Sequence, residues 1–261
     1  MRSLALAWVF FRVNAMNELQ YRANFFVQLF QSAIALATGL AVIGLVFSHT
    51  QELNGWNHAE LLAVMGVHIA MGGLIGTLIQ PNMMRLTQEI RDGKLDFALT
   101  KPADAQLLAT LREVRIWRAV DLALGGIVLG VAVSMLGVGP SLLGALAFAA
   151  TLVLGGLMIY CFWLILATAA FFIIRIDEIA ELFEGIYQSG RWPVGVYPGW
   201  LRISLTFLVP IAFAVTVPAE ALTSRLTVDT LVVAAVFAAV LLIATRAWWR
   251  FGLRHYAGAS A

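Results

Sequence analysis

Residues 82–118, NMMRLTQEIRDGKLDFALTKPADAQLLATLREVRIWR, form the longest charged interval between two apolar runs of this chain. The interval holds seven of the 17 lysines and arginines. Each flanking apolar run is long enough to cross a bilayer, which takes ~20 residues. The interval is therefore predicted to be a loop outside the membrane that joins two membrane spans.

The composition of the 261 residues is that of a membrane protein. Hydrophobic residues make up 61% and charged residues 12%, whereas soluble domains average about 45–50% and about 25%. One transmembrane domain is expected to account for residues 1–261. The net charge of +2 gives no argument for nucleic acid as a partner, and the single Cys161 excludes an internal disulfide framework and a cysteine-based zinc cluster.

Five apolar runs are predicted to be membrane spans: residues 24–47, 59–80, 119–136, 141–174 and 226–245. Pro81 is expected to end the second span. Gly72 with Gly76, and Gly126 with Gly130, have the four-residue spacing that allows helices to pack closely. The fourth run exceeds one perpendicular crossing, so its helix tilts, projects from the bilayer or breaks.

Residues 1–22 are predicted to form an amphipathic helix that lies in the membrane interface. Leu4, Ala7, Trp8, Phe11 and Ala15 share one helical face, and the arginines lie elsewhere. An arginine interrupts the apolar run and no small-residue cleavage site follows, so no signal peptide is expected. The alternative is an irregular start to the first span.

Positive charge predicts the orientation of the spans. Residues 1–22 contain three lysines or arginines, 82–118 contain seven and 246–254 contain three, whereas 48–58 and 137–141 contain none. By the positive-inside rule the first three regions are cytoplasmic. Both termini are then in the cytoplasm, which requires an even number of crossings, and six fit.

The fifth crossing has two candidate positions around a polar helix predicted over residues 175–191. In the first arrangement this helix crosses, and residues 191–221 form a half-inserted segment on the outer side. In the second arrangement residues 175–198 stay in the cytoplasm and residues 199–219 cross. Hydropathy alone favours the second arrangement.

Glu181 and Glu184 share one face of the polar helix, opposite an apolar face. Two acids facing lipid would cost ~5–7 kcal/mol, at ~2.5–3.5 kcal/mol each. In the first arrangement they must therefore face a partner helix or a wet pathway. They either pair with Arg175, Arg191 or a neighbouring subunit, or lie in water at the membrane surface. The functional alternative is that they line a pathway that favours cationic or amphipathic cargo.

No motif for catalysis or nucleotide binding is found. The only Gly-Lys pair, Gly93-Lys94, is followed by Leu95 and is not part of a phosphate-binding loop. The four histidines lack metal-ligand spacing, and there is no G-x-S-x-G nucleophile elbow. We therefore expect a chain that is not an enzyme, with no metal site and no cofactor, driven by energy from elsewhere.

The charged loop contains a short helix that is suited to docking in a groove of another protein. Met83, Leu86 and Ile90 form an apolar face with charged flanks, and Gly93 ends the helix. The alternative is a solvated loop whose charges only set the orientation. Arg112, Arg115 and Arg118 are interpreted as anchors of the third span, and Gln28, Gln31 and Ser32 of the first span are expected to face other helices.

These residues resemble a known family. The run Ile90-Arg91-Asp92-Gly93-Lys94-Leu95-Asp96, followed by Leu99 and Lys101-Pro102, is similar to the loop after the second span in permease subunits of type-2 ABC transporters, in particular the short branch of about 260 residues. Gly190, Pro193, Pro198 and Pro210 resemble that family's outer re-entrant segment before the last span. The resemblance covers nearly the whole chain.

The resemblance implies an all-α polytopic membrane fold with six transmembrane helices. It implies an N-terminal elbow helix over residues 1–22, a cytoplasmic coupling loop over 82–118 and an outer re-entrant segment over 191–221. It thereby favours the first arrangement, although the corresponding family span is usually apolar. The residues it assigns to ATPase coupling are Met83, Leu86, Ile90, Arg91, Asp92, Gly93, Leu95, Asp96 and Leu99.

The resemblance also implies export driven by a separate cytosolic ABC ATPase, which binds the ATP and Mg. The permease would work with a second permease, identical or related, in the bilayer of a prokaryotic cytoplasmic membrane. Leu95 and Leu99 lie outside the spans, so changing both to Asp is expected to uncouple ATP hydrolysis without unfolding them. The alternatives are a membrane-embedded enzyme and an ATP-independent transporter.

Overall fold

The computed structural model describes residues 16, 22–95, 106, 112–137, 141–172 and 177–256, and the predicted elbow helix lies outside these residues. The helices longer than one turn in these ranges are α1 Arg22–Phe47, α2 His58–Arg91, α3 Ile116–Met135, α4 Leu142–Ala169, α5 Asp177–Tyr187, α6 Gly199–Leu208, α7 Ala212–Leu222 and α8 Val228–Arg254. Within the described ranges the one β pairing is an isolated bridge between Leu53 and Trp56. The prediction of an all-α fold is confirmed.

Five of these helices, α1, α2, α3, α4 and α8, are long and apolar enough to cross a membrane. The chain is therefore a multi-pass membrane protein. The helices α1 to α4 alternate in direction and α8 runs parallel to α2 and α4, so the bundle has two ends. We call one the Glu60 end, after the start of α2, and the other the Arg91 end, where the last turns of α2, α4 and α8 lie around one hollow.

The second span does not end at Pro81, as the sequence predicted, but continues as one helix to Arg91. A π-helical turn over Ile75–Ile79 precedes the proline. Proline has no N–H for the carbonyl four residues before it, and here that carbonyl, on Thr77, accepts a 3.0 Å hydrogen bond from the backbone N–H of Arg115. Because a distant segment satisfies the freed carbonyl, the helix passes through Pro81. It ends where Gly93 takes a left-handed φ of 67°.

The helices α2 and α3 approach closely through glycines that differ in part from those predicted. A Cβ added at Gly125 would lie 2.5 Å from the backbone nitrogen of Ala70, so only glycine fits there. Gly126 and Gly130 have no described atom within 4 Å of such a Cβ, so neither packs closely against another helix in the described part of this chain. The four-residue spacing therefore did not identify the glycine of α3 that contacts α2, which is the neighbouring Gly125.

The polar helix α5 and the turns after it cross the bundle. Phe183 packs on Trp163 of α4, near the Arg91 end. One turn further on, the Tyr187 hydroxyl donates a 2.7 Å hydrogen bond to the carbonyl of His68, within α2. A Cβ at Gly195 would then lie 3.0 Å from Asn54 Nδ2, at the Glu60 end. These contacts correspond to the first of the two arrangements.

Helices α6 and α7, which correspond to the predicted re-entrant segment, form a sharply bent pair. Their axes are bent by 78° at the break that contains Pro210. The bend lies deep in the bundle, where the backbone of Phe213 and Ala214 packs directly on Gly155 of α4. Both ends return to the Glu60 end. Pro193 is buried before the segment and Pro198 precedes the first turn of α6.

A salt bridge closes the Glu60 end. Arg225, which follows α7, donates to both carboxylate oxygens of Glu60 at 2.7 and 2.8 Å and lies over the Trp56 ring at 4.9 Å. Glu60 is only 7% exposed and also completes the capping box of α2 with Asn57. Because a paired arginine satisfies this buried carboxylate, the re-entrant segment is fixed to the start of the second span.

Candidate functional site

The apolar face predicted to dock with a partner is the packing face of α2. The side chains on this face are buried in the main core, beside Trp163 and Trp249: Met83, Leu86, Ile90 and Leu95. The opposite, exposed face carries mainly polar and charged side chains: Met84, Arg85, Gln88, Arg91, Asp92 and Lys94. Any surface that the end of α2 offers to a partner is therefore this exposed face. Asp96 and Leu99 lie outside the described residues, and the assignment of all these residues to coupling stays a prediction.

The exposed face is ordered by short-range ion pairs. Lys94 Nζ lies 2.9 Å from an Asp92 carboxylate oxygen, and Gln88 donates to the other oxygen at 3.0 Å. The hydrogen bond from Lys94 lowers the pKa of Asp92 below the usual aspartate value, so the carboxylate stays charged at neutral pH. The end of α2 thus presents a mixed-charge surface on a regular helix.

Asn82 joins the end of α2 to the start of α3. Its side-chain nitrogen donates to the carbonyls of Leu78 and Glu113 at 2.6 and 2.7 Å, and its oxygen accepts from the backbone N–H groups of Arg112 and Glu113 at 2.8 Å each. The residue is fully buried, at 0% exposure. An Asn side chain can make four such bonds, so this amide is saturated.

The arginines before α3 reinforce that connection. Arg112 is buried and donates to both carboxylate oxygens of Glu89 at 3.1 Å. Arg118 lies 3.9 Å from Asp121 in the first turns of α3. The interpretation of these arginines as anchors agrees with their contacts. We call the connected set Asn82, Glu89, Arg112 and Glu113 the Asn82 junction.

A polar cleft of about 200 Å³ lies between α1, α2, the start of α3 and the segment from α5 to Arg191. Toward the Arg91 end its wall is centred on Asp121. Gln28 donates to this carboxylate at 3.1 Å and Ser32 also donates to it. The prediction that these polar residues of the first span face other helices is confirmed, and Gln31 lines the same cleft.

Deeper in the bundle the cleft is lined by His68, Gln188 and Arg191. The His68 ring stacks on Tyr187 with 4.5 Å between ring centroids. His68 Nδ1 and Gln188 Oε1 are buried and have no hydrogen-bond partner among the described residues. Arg191 is half-buried, and none of its nitrogens lies within 4.0 Å of an acidic oxygen of the described residues. We call these three residues the deep end of the cleft.

The two predicted pathway acids have different positions. Glu184 is exposed, lines the cleft and accepts a 3.0 Å hydrogen bond from Gln188. Glu181 is exposed outside the cleft. Their role in a pathway stays a prediction. In the described part of the chain, no group of three or more His, Cys, Asp or Glu residues could hold a metal ion.

Two features were not identified from the sequence. One is the role of Asn82 in joining α2 to the start of α3, and the other is Arg191 as a cation without an acidic partner among the described residues. A possible signal for Asn82 was its place directly after a proline inside an apolar run, where freed carbonyls need a donor. Arg191 was considered only as a counter-ion for the acids of α5. The nearest other arginine or lysine, Arg202, lies eleven residues away in the sequence, which was a signal that Arg191 does not belong to a charged loop.

The chain was compared with known families, curated proteins and solved structures. Residues 33–260 match the family described as ABC-2 family transporter protein. No curated protein and no solved structure matches the chain. The match covers most of the sequence, including the re-entrant segment and the polar crossing helix. The chain therefore belongs to the ABC-2 transporter family, as a membrane permease component.

Proposed function

We propose that the chain is the permease subunit of an ATP-driven ABC exporter. A separate cytosolic ABC ATPase docks at the Arg91 end and supplies both the nucleotide site and the Mg²⁺. A second permease, identical or related, completes the translocation pathway. The complex lies in a prokaryotic cytoplasmic membrane, with both termini of the chain in the cytoplasm.

The Asn82 junction is the observation that supports this proposal most. The exposed face of α2 ends a helix of 34 residues that also forms the second span. Beside it, saturated hydrogen bonds and the Glu89–Arg112 ion pair fix the approach to the third span. A push on the exposed face is therefore transmitted to α2 and α3 together rather than absorbed by a flexible loop.

The polar crossing helix supports a second permease. Glu181 and Glu184 are exposed on α5, and a centrally placed acid in contact with lipid costs ~2.5–3.5 kcal/mol. Water in a pathway, or a neighbouring subunit, removes that cost. A pathway between two permeases along this face supplies both.

Affinity purification tests the proposal. A tagged permease is extracted from its native membrane in a mild detergent, and the bound proteins are identified by mass spectrometry. We expect an ABC ATPase in stoichiometric amount, with ATP hydrolysis that requires Mg²⁺. Recovery of the folded permease without any ATPase would count against the proposal.

The exposed face separates docking from folding in the same assay. Reversing two charges, Arg91→Glu with Lys94→Glu, is expected to reduce recovery of the ATPase and to change the melting temperature of the permease only slightly, because both side chains are exposed. Leu95→Asp is the contrasting variant. Leu95 is 0% exposed, so this change places a charge in the core and is expected to destabilise the permease itself.

A further inference from the structure

We propose that the deep end of the cleft binds the acidic group, a carboxylate or a phosphate, of an amphipathic molecule, with Arg191 as its cation. In the proposed exporter this molecule would be the cargo, and to that extent the inference rests on the proposed function. The binding site itself is argued from this chain alone.

Arg191 lies at mid-depth in the bundle. A Cβ added at the preceding Gly190 would lie 3.3 Å from His68 Nδ1 and 2.7 Å from a methyl group of Ile211. His68 is ten residues into α2, which places it ~15 Å from the Glu60 end at 1.5 Å per residue. Since the hydrocarbon core of a bilayer is ~30 Å thick, Arg191 lies near its centre.

An arginine at this depth needs an anion or water. Charged residues within membrane bundles face a cavity and pair with one another, or mark a substrate pathway. Arg191 faces the cleft and forms no ion pair with the described residues. The two acids that line the cleft already have donors. Asp121 accepts from Gln28 and Ser32, and Glu184 accepts from Gln188.

The neighbours of Arg191 are also unsatisfied. His68 is 6% exposed, and no described residue forms a hydrogen bond with its Nδ1. Gln188 uses its amide nitrogen on Glu184, so its buried oxygen remains as a free acceptor. Most buried polar groups in proteins are paired. A singly protonated phosphate, or a carboxylate beside a hydroxyl group, satisfies all three residues. Its charge pairs with Arg191, one oxygen accepts from an N–H at His68 Nδ1, and its O–H donates to Gln188 Oε1.

The same part of the cleft has an apolar wall. Leu36 of α1 and Met65 and Ile69 of α2 line it beside His68. A purely ionic ligand would leave this wall in contact with water, whereas an alkyl or aromatic portion covers it. The chemistry of the wall therefore favours an acidic amphiphile over a free inorganic anion.

Binding to the purified permease tests the inference. The protein is held in the uncharged detergent dodecyl maltoside, and equilibrium dialysis measures binding of dodecyl phosphate and of dodecyltrimethylammonium. We expect saturable binding of dodecyl phosphate and none of the cationic amphiphile. Arg191→Gln should weaken binding at least ~10-fold, because a charge-assisted contact is lost. Arg191→Lys should retain part of it.

The controls separate the site from general effects. Arg202→Gln removes an exposed arginine of α6 that lies outside the cleft, and it should bind dodecyl phosphate as the wild type does. A melting curve of Arg191→Gln checks that the variant is folded. Equal binding by Arg191→Gln and the wild type, equal binding of both amphiphiles, or no saturable binding of either would overturn the inference.

A second arm distinguishes a membrane lipid from a free amphiphile. Native mass spectrometry of the permease in nanodiscs containing phosphatidic acid measures retained lipid on the wild type and on Arg191→Gln. Retention that depends on Arg191 identifies a lipid head group, and dodecyl phosphate binding without it identifies a soluble amphiphile. If Arg191→Gln instead dissociates a permease dimer, the arginine pairs with a second copy and the inference is wrong. No ATPase is present, so these outcomes are independent of the proposed ATPase partnership.

Discussion

Two buried polar regions of this protein differ in how their hydrogen bonds are satisfied. At the Asn82 junction the amide makes four bonds and Glu89 holds Arg112 with two. At the deep end of the cleft, His68 Nδ1 and Gln188 Oε1 have no hydrogen-bond partner in the described part of the chain. A saturated buried network rigidifies a fold, whereas an unsatisfied one is costly unless something else completes it. This difference supports the proposals that the first region transmits motion and that the second binds a ligand.

The largest effect is expected at the saturated region. Asn82→Leu leaves the N–H groups of Arg112 and Glu113 and the carbonyl of Glu113 without partners, and each buried unpaired group costs ~1–3 kcal/mol. We expect a loss of about 3–5 kcal/mol in stability, measured by thermal unfolding in detergent. Gln88→Leu, on the exposed face of the same helix, is the control and should change stability little. A melting temperature of Asn82→Leu equal to that of the wild type would show that the junction is not rigid.

A smaller loss is expected where α2 and α3 touch beyond the junction. Gly125→Ala places a Cβ 2.5 Å from a backbone nitrogen, and overpacking of this kind costs ~1–3 kcal/mol. Gly126→Ala is the matched control, since that position has no atom within 4 Å. Thermal unfolding of the two variants decides whether α2 and α3 act as one unit. Equal stability would mean that the two helices separate easily and that the junction alone joins them.

The smallest effect on stability is expected at the unsatisfied region. Arg191→Gln removes a charge that has no acidic partner among the described residues, so the melting temperature should stay the same or rise. An arginine at the centre of a bilayer costs ~2.5–3.5 kcal/mol on insertion scales, and glutamine carries no charge. The same thermal unfolding assay measures this change. A clear loss of stability would show that Arg191 holds the fold together, and the contrast between the two regions would disappear.

The sequence predicted those features that depend on local pattern. Apolar runs located the five long spans, Gly93 marked the end of α2, and the charge on α5 was recognised as incompatible with lipid. The path of α2 through Pro81 could not be predicted, because it depends on a hydrogen bond from Arg115, far along the chain. The choice between Gly125 and Gly126 depends on a rotation of α3 that four-residue spacing does not specify.

The burial of apolar side chains at the Arg91 end could not be predicted from the local sequence pattern either. Met83, Leu86 and Ile90 were recognised as an apolar face, which suits an external partner and an internal core equally well. Only the positions of α4 and α8 decide between these, and they bring Trp163 and Trp249 into the core that this face joins. Leu95 lies in the same core. Leu95→Asp is therefore expected to destabilise the spans, contrary to the expectation from the sequence. The deep end of the cleft likewise requires α2 and α5 to be placed side by side.

The most direct test of the account is the accessibility of Met84 to a membrane-impermeant maleimide. Met84 is 43% exposed on the face assigned to the ATPase, and the native Cys161 is buried and gives little background. The account predicts that Met84→Cys is labelled only from the cytoplasmic side and is protected when the ATPase is bound. Glu52→Cys, at the Glu60 end, should be labelled only from the outer side. Labelling of Met84→Cys from outside, or equally with and without the ATPase, would contradict the account.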